Sequence, residues 1–248
     1  NFHLPHTPVL PPKSYRDRFA KQAYRVPEFS KAEVDKLPPQ LTSLYNSMKI
    51  LGTSPEDVDA GKALKPAEVQ TAIQDYYAFC AYGDQLIGES VAAFKAYCEK
   101  HQQPWLIIYT IGDHGWHLGE HAIWGKHSLF EESLHSPLII YDGSINKTGK
   151  KLNDIIETVD IFPTLTALCD LPNPEFSNGK SLIPLIQGES IENLSAVAYK
   201  SDATTIRTKN YLFIQHENGA VELYNHQTEG SETNNIAKEN RLFWFNLL

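Results

Sequence analysis

Trp105-Leu106-Ile107-Ile108-Tyr109-Thr110-Ile111-Gly112-Asp113-His114-Gly115 is the stretch on which the reading of this 248-residue chain turns. Its first six residues are rich in aromatic and β-branched side chains and are entered through Pro104. They predict a strand buried on both faces, as in a parallel or mixed sheet. The strand gives out in a carboxylate and an imidazole flanked by glycines. The carboxyl ends of strands are where α/β sheets bind ligands, and glycine lets the backbone approach closely. Asp113 and His114 offer an oxygen and a nitrogen to a divalent cation. Lys126, thirteen residues beyond Asp113, offers a point positive charge. A cation and an ammonium group together are what an anionic ester requires, because charge builds on its leaving and equatorial oxygens during cleavage.

Working outward, residues 66–100 read as a long helix. Pro66 suits a first turn. Ile73, Tyr76, Tyr77, Cys80, Asp84, Ile87, Val91, Phe94 and Cys98 recur at three- and four-residue steps. Asp84 interrupts that stripe and is expected to be a buried carboxylate with a backbone or tyrosine partner, a catalytic role being the alternative. Pro137-Leu138-Ile139-Ile140-Tyr141, closed by Asp142-Gly143, predicts a second strand. A helix starts near Ile161, with Pro163 in its first turn, and runs through Leu165 and Leu168 to Cys169. Alternating strands and helices are the grammar of an α/β sheet. Beyond residue 188, Ala196 to Lys200, Thr205 to Arg207, Tyr211 to Gln215 and Val221 to Tyr224 alternate like short antiparallel strands, with Asn218-Gly219 as a hairpin turn. The expected division is an α/β domain over 1–188 and a small β subdomain over 189–248. Residues 1–60, proline-rich through Pro8, Pro11-Pro12 and Pro38-Pro39, are expected to wrap this scaffold and bring side chains into a site.

Composition bounds the function. The 22 Lys and Arg against 30 Asp and Glu give a net charge of −8, without a basic stripe, so nucleic acid is not an expected partner. An acidic chain binds an anion only through a local cationic pocket or a metal. At 42% hydrophobic and 21% charged residues the chain is globular rather than disordered. No apolar run approaches the roughly 20 residues of a membrane span. Three cysteines make no disulfide framework. Cys80 and Cys98 share the predicted helix, where their separation of about 27 Å forbids a bridge. Asn146-Lys147-Thr148 and Asn193-Leu194-Ser195 fit the glycosylation acceptor pattern. The chain opens on Asn1 without a signal-peptide pattern and reads as a cleaved product or fragment.

The histidines around the motif leave alternatives open. His117, His121 and His127 are ligands or satisfied loop histidines. Trp116 and Trp124 are core anchors or walls of a sugar-binding cleft. His117-Leu118-Gly119-Glu120-His121 also fits the inverted zinc-peptidase pattern, which needs a helix to bring the His117 and His121 rings to one face.

The stretch Gly112-Asp113-His114-Gly115-Trp116-His117-Leu118-Gly119-Glu120-His121, with Trp124-Gly125-Lys126-His127, resembles the C-terminal half of type I sulfatases, and among them the iduronate-2-sulfatase-like subgroup. Other segments resemble the family in the same order. They are Phe2 to Pro8 with Pro12-Lys13-Ser14-Tyr15, then Tyr82-Gly83-Asp84 to Gly88, then Thr158-Val159-Asp160-Ile161-Phe162-Pro163-Thr164-Leu165. The closing hairpin follows over Ile206 to Tyr211 and Glu222 to Asn225, with Glu232 to Asn235.

The resemblance implies an alkaline-phosphatase-like α/β sandwich with a mixed sheet and a small C-terminal antiparallel subdomain. It implies a calcium ion held by Asp113 and His114, a Lys126 that holds sulfate and leaving-group oxygens, and a His6 that lines the sulfate pocket and helps protonate the leaving oxygen. Leu4 departs from the family's more usual lysine. A larger departure concerns the nucleophile, a Cys or Ser matured to formylglycine within Cys/Ser-x-Pro-x-Arg. Cys80, Cys98 and Cys169 all lack that context, and the paired aspartates that complete the calcium site are missing. The expected enzyme is therefore a sulfatase acting on a sulfated saccharide, with formylglycine supplied by an N-terminal chain of the same precursor. The expected compartment is secreted or periplasmic, or alternatively lysosomal. A non-catalytic protein that binds sulfated glycans is the competing reading.

Overall fold

A computed structural model describes residues 3–27, 66–143, 149–228 and 232–240. Pro38-Pro39 and the Asn146 acceptor triplet lie outside these residues. The chain divides into two compact units, Asn1–Ser128 with His135–Ser144, and Leu129–Leu134 with Ile145–Leu248. The composition change near residue 188 falls inside the second unit.

In the first unit, α1 (Lys13–Phe19) lies on α2 (Pro66–Lys100), the long helix that the periodicity predicts. α2 buries Ala72, Ile73, Ala78 and Phe79, and with them Asp75, which is 1% exposed. A carboxylate out of water needs a cation, and Arg16 supplies one: Nε and a terminal guanidinium nitrogen each donate to Asp75 at 2.7 Å. Around this pair Tyr15 packs on Tyr82 with ring centres 5.2 Å apart and donates its hydroxyl to Gln85. Tyr24 stacks on Tyr77 at 5.2 Å, and its carbonyl accepts from the Gln70 amide at 2.6 Å. The proline-rich segment, so far as it is described, does wrap the scaffold.

Asp84, expected to be buried, is instead exposed. Among the described residues no ion pair joins it, whereas Arg16 meets Asp75. Tyr77 and Phe94 likewise fall on the exposed side of α2. Cys80 and Cys98 both sit on α2 as free thiols. Burial pushes the Cys80 thiol up to about 11, against a hydrogen bond from Tyr76.

The apolar run after Pro104 forms β1 (Leu106–Thr110). The hairpin that follows carries β2 (His117–Leu118) and β3 (Trp124–Gly125), and the chain returns as β4 (Leu138–Asp142). β4 pairs antiparallel with β1, Leu106 opposite Asp142 and Thr110 opposite Leu138. This corrects the expected burial on both faces and excludes a purely parallel sheet, while an antiparallel pair is one that a mixed sheet contains. Among the described residues β1 has β4 alone as a neighbour, and all five of its residues are half-buried. The link between the two strands is a hairpin, short turns and the single-turn helix Glu131–Leu134 rather than a long crossover helix, and the chain comes back antiparallel. Lys95 of α2 sits over the rings of Trp105 and Tyr141, 5.2 and 5.0 Å from their centres, and pins the helix to the start of β1.

In the second unit, α3 (Glu131–Leu134) is followed by a 3-10 turn (Thr158–Asp160) that leads into α4 (Ile161–Leu168), with Pro163 in its first turn as predicted. Asp160 caps this junction. One carboxylate oxygen accepts from the Glu157 N–H at 2.9 Å and the other from the Lys180 N–H at 2.7 Å. After α5 (Ile183–Gln187) comes the antiparallel meander read from the alternation: β5 (Ser195–Lys200), β6 (Ala203–Thr208), β7 (Tyr211–His216) and β8 (Val221–Asn225). Phe213 and Leu223 close its core with Ala237.

Replacing Arg16 by Met leaves Asp75 buried and uncompensated and is expected to cost about 3 kcal/mol in urea unfolding. Asp75→Asn is expected to cost less, because the Arg16 side chain, 44% exposed, regains water. For Cys80, a thiol raised in the fold contributes stability that is complete below its ordinary value of 9.0 and is lost as pH climbs towards about 11. Stability is therefore expected to fall between pH 9 and 11, and Cys80→Ala to flatten that fall. An equally steep fall in the variant contradicts the assignment.

Candidate cation and oxyanion site

The site grows from the end of β1. Ile111 extends the strand by one bond, its N–H donating to the Pro137 carbonyl at 2.9 Å. The chain then turns sharply at Gly112. Its φ is +82°, and a Cβ there would lie 2.9 Å from the His114 carbonyl oxygen, so only glycine suits the position. Ser136 donates its hydroxyl to the Gly112 carbonyl and holds the turn from the β4 side. The turn turns Asp113 outward, its side chain 91% exposed, while the His114 side chain is 29% exposed.

Next comes the hairpin. His117 pairs with Gly125 and Leu118 with Trp124. Between them Gly119 has φ +111°, and a Cβ there would press on the Trp124 ring at 3.2 Å. Continuing this register places residue 126 beside residue 116. From there Lys126 reaches back to His114, with Nζ 2.8 Å from Nε2. The twelve-residue spacing between His114 and Lys126 is thus the length of a hairpin and its flanks.

His114 has its proton placed by the backbone. Nδ1 lies 2.8 Å from the Gly115 carbonyl oxygen, which can only accept. Nδ1 therefore carries the hydrogen and Nε2 keeps the lone pair, which accepts from the Lys126 ammonium. Asp113 Oδ1 stands 3.5 Å from the same Nε2. Three of the four side chains singled out in the sequence thus meet around one atom.

This donor set fits part of a divalent-cation shell. It offers a carboxylate oxygen beside an imidazole nitrogen whose tautomer is fixed by a backbone carbonyl, the outer bond that metal-binding histidines make. Calcium takes about six to eight ligands, chiefly oxygen. Asp113 and His114 supply the corner of such a shell and not the whole of it.

His6 stands apart in its bonding. Its Nδ1 lies 2.8 Å from the Thr7 carbonyl and its ring stacks on His3 at 4.4 Å. No hydrogen bond or ion pair joins it to Asp113, His114 or Lys126. Its segment rests on α2 through Leu4, which faces Gly83. The next residue of α2, Asp84, is near enough to help burial raise the Tyr109 phenol.

The inverted zinc-peptidase reading fails on geometry. His117 is on strand β2 and His121 on a 3-10 turn beyond Gly119, itself in the left-handed region at φ +55°. No helix carries the pair. His117 is fully buried and its Nε2 lies 2.8 Å from the Ser128 hydroxyl. Trp116 stacks on Tyr76 of α2 at 6.2 Å, which braces the loop from below. Sequence reasoning missed Ser128 and Ser136, because both act across 11 and 24 residues of chain without a local pattern.

A second cluster, Glu131, His226 and Glu232, brings potential ligand atoms within 4.8 Å of one another. Its groups satisfy each other. Glu232 accepts from the Glu131 N–H at 3.0 Å and lies 2.9 Å from His226 Nε2, while Glu131 pairs with Arg207 at 2.9 Å. Burial raises the Glu232 carboxyl. The cluster ties α3 to the C-terminal sheet.

Comparison with known proteins places the chain. A family model described as sulfatase matches residues 2–171, and one described as N-sulphoglucosamine sulphohydrolase, C-terminal, matches residues 119–243. A sulfatase of Formosa agariphila is 26% identical over 241 residues, covering 95% of this chain and 45% of the relative. Human arylsulfatase K is 29% identical over 192 residues, covering 68% of this chain and 34% of the relative. The chain thus spans less than half the length of these two relatives. Among solved structures, BT4656 in complex with its substrate D-glucosamine-2-N,6-O-disulfate superposes with a TM-score of 0.72 at 20% identity, over 98% of this chain and 62% of that one. The phosphonate monoester hydrolase of Agrobacterium radiobacter gives 0.78 at 22% identity, over 98% and 53%. These likenesses show an alkaline-phosphatase-like fold. Matched along the larger part of its length by the sulfatase model, the chain belongs to the sulfatase family.

Proposed function

We propose that this chain carries the cation-holding and leaving-group side of a site that hydrolyses sulfate esters of a sulfated sugar. The observation that carries the reading is the meeting of Asp113, His114 and Lys126 at the end of β1. Asp113 and His114 would hold a calcium ion, which supplies positive charge to a sulfate oxygen and to the nucleophile. Lys126 would donate to a sulfate or leaving-group oxygen, and its charge grows in value as that oxygen gains charge. His6 would donate a proton to the departing oxygen from the loop above α2.

The nucleophile, formylglycine, would come from a portion of the polypeptide outside these 248 residues. Cys80 precedes Ala81-Tyr82-Gly83, Cys98 precedes Glu99-Lys100-His101 and Cys169 precedes Asp170-Leu171-Pro172, and none fits the maturation motif. A sulfated saccharide is supported by the D-glucosamine-2-N,6-O-disulfate that BT4656 binds as its substrate. The Asp113-His114 pair supports an iduronate-2-sulfatase-like specificity, for a 2-O-sulfated uronic acid. The same missing motif supports the rival reading, a protein that binds sulfated glycans without cleaving them.

In the full-length protein Lys126→Ala is expected to lower kcat/KM on a sulfated saccharide at least about tenfold, equivalent to about 1.4 kcal/mol of transition-state stabilisation. Unchanged turnover contradicts the role. Binding of the sugar without any sulfate release by the full-length wild type selects the binding protein instead. Asp113→Asn is expected to weaken calcium binding at least about tenfold by calorimetry. An unaltered affinity moves the cation away from this corner.

A further inference from the structure

We propose that Lys126 is an internal stand-in for the cation at His114, and that ammonium and divalent ion exclude one another there. The inference rests on the cation-site reading above. The Gly115 carbonyl holds the ring hydrogen on Nδ1, so Nε2 has a single lone pair to give. In this structure Lys126 takes it, at 2.8 Å. A divalent ion bound through Nε2 needs that same lone pair and repels the ammonium at close range. Asp113 stands beside the ring with its carboxylate open to solvent, placed to draw in the ion. Lys126 sits just past the end of β3, and its flexible four-carbon stem can swing without disturbing the His117–Gly125 pairing.

Two consequences follow from the exclusion. The imidazole lone pair is never left unsatisfied, because one positive group replaces the other. The ammonium also becomes available to an anion only when the ion has arrived. Cation binding and oxyanion binding are thereby coupled through one side chain, and the coupling is reciprocal. A site without its cation keeps its lysine occupied and holds sulfate poorly. Lys126 therefore has a role in ordering ligand binding that is separate from its contact with the leaving group.

The test is a double-mutant cycle read by calorimetric calcium affinity in the full-length protein, at fixed pH and salt. Lys126→Met keeps the stem and removes the amine. It is expected to tighten calcium binding about fivefold or more, because the competing state disappears. In a His114→Ala background the same substitution is expected to change little, since there is no lone pair to compete for. No tightening, or equal tightening in both backgrounds as a through-space charge effect would give, overturns the proposal. If Asp113→Asn and His114→Ala each leave calcium affinity intact, the cation site itself is wrong and the functional reading falls with it. If both weaken binding but the cycle shows no coupling, the exchange alone is overturned.

Discussion

The Gly115 carbonyl takes the Nδ1 hydrogen of His114, and the rest of the site depends on that bond. Were the hydrogen on Nε2, the ring would present a donor to Lys126 and to any cation, and neither contact could form. With the tautomer fixed, the Nε2 lone pair accepts from the Lys126 ammonium, and the Asp113 carboxylate stands 3.5 Å from the same nitrogen. The turn that makes this possible is local. Gly112 turns back on itself at a positive φ, and Ser136 holds its carbonyl.

The scaffold around that loop explains why it keeps its shape. The hairpin register of β2 and β3 sets the reach of Lys126. Below it, α2 offers Tyr76 to the Trp116 ring and carries Lys95, which locks onto Trp105 and Tyr141 at the entrance to β1. The buried Arg16–Asp75 pair in turn holds the N-terminal segment on α2, and with it the loop that carries His6. One buried ion pair and one lysine–imidazole hydrogen bond thus anchor the N-terminal segment and the loop after β1.

Much of this was legible in the sequence wherever the signal was local. Three- and four-residue steps gave the limits of α2, and two-residue alternation gave the four-stranded C-terminal meander. The end of an apolar strand gave Asp113 and His114, and the motif order gave the family. What escaped depends on partners far along the chain. On α2 Asp75 rather than Asp84 is the buried carboxylate, because Arg16, 59 residues before it in the chain, pairs with Asp75. The direction of the β1–β4 pairing was hidden because apolar runs carry no sign of strand polarity. The His117–His121 spacing suggested a helix face, but Gly119 and the left-handed His121 break any helix there.

The account rests on a divalent cation seated between Asp113 and His114, and a crystal structure of the full-length protein grown with calcium tests it most directly. The account predicts an ion within about 2.3–2.6 Å of the Asp113 carboxylate and bonded to His114 Nε2, with the Lys126 amine turned away towards an anion. An ion bound elsewhere, with Asp113 in solvent and Lys126 still hydrogen-bonded to His114, would contradict it.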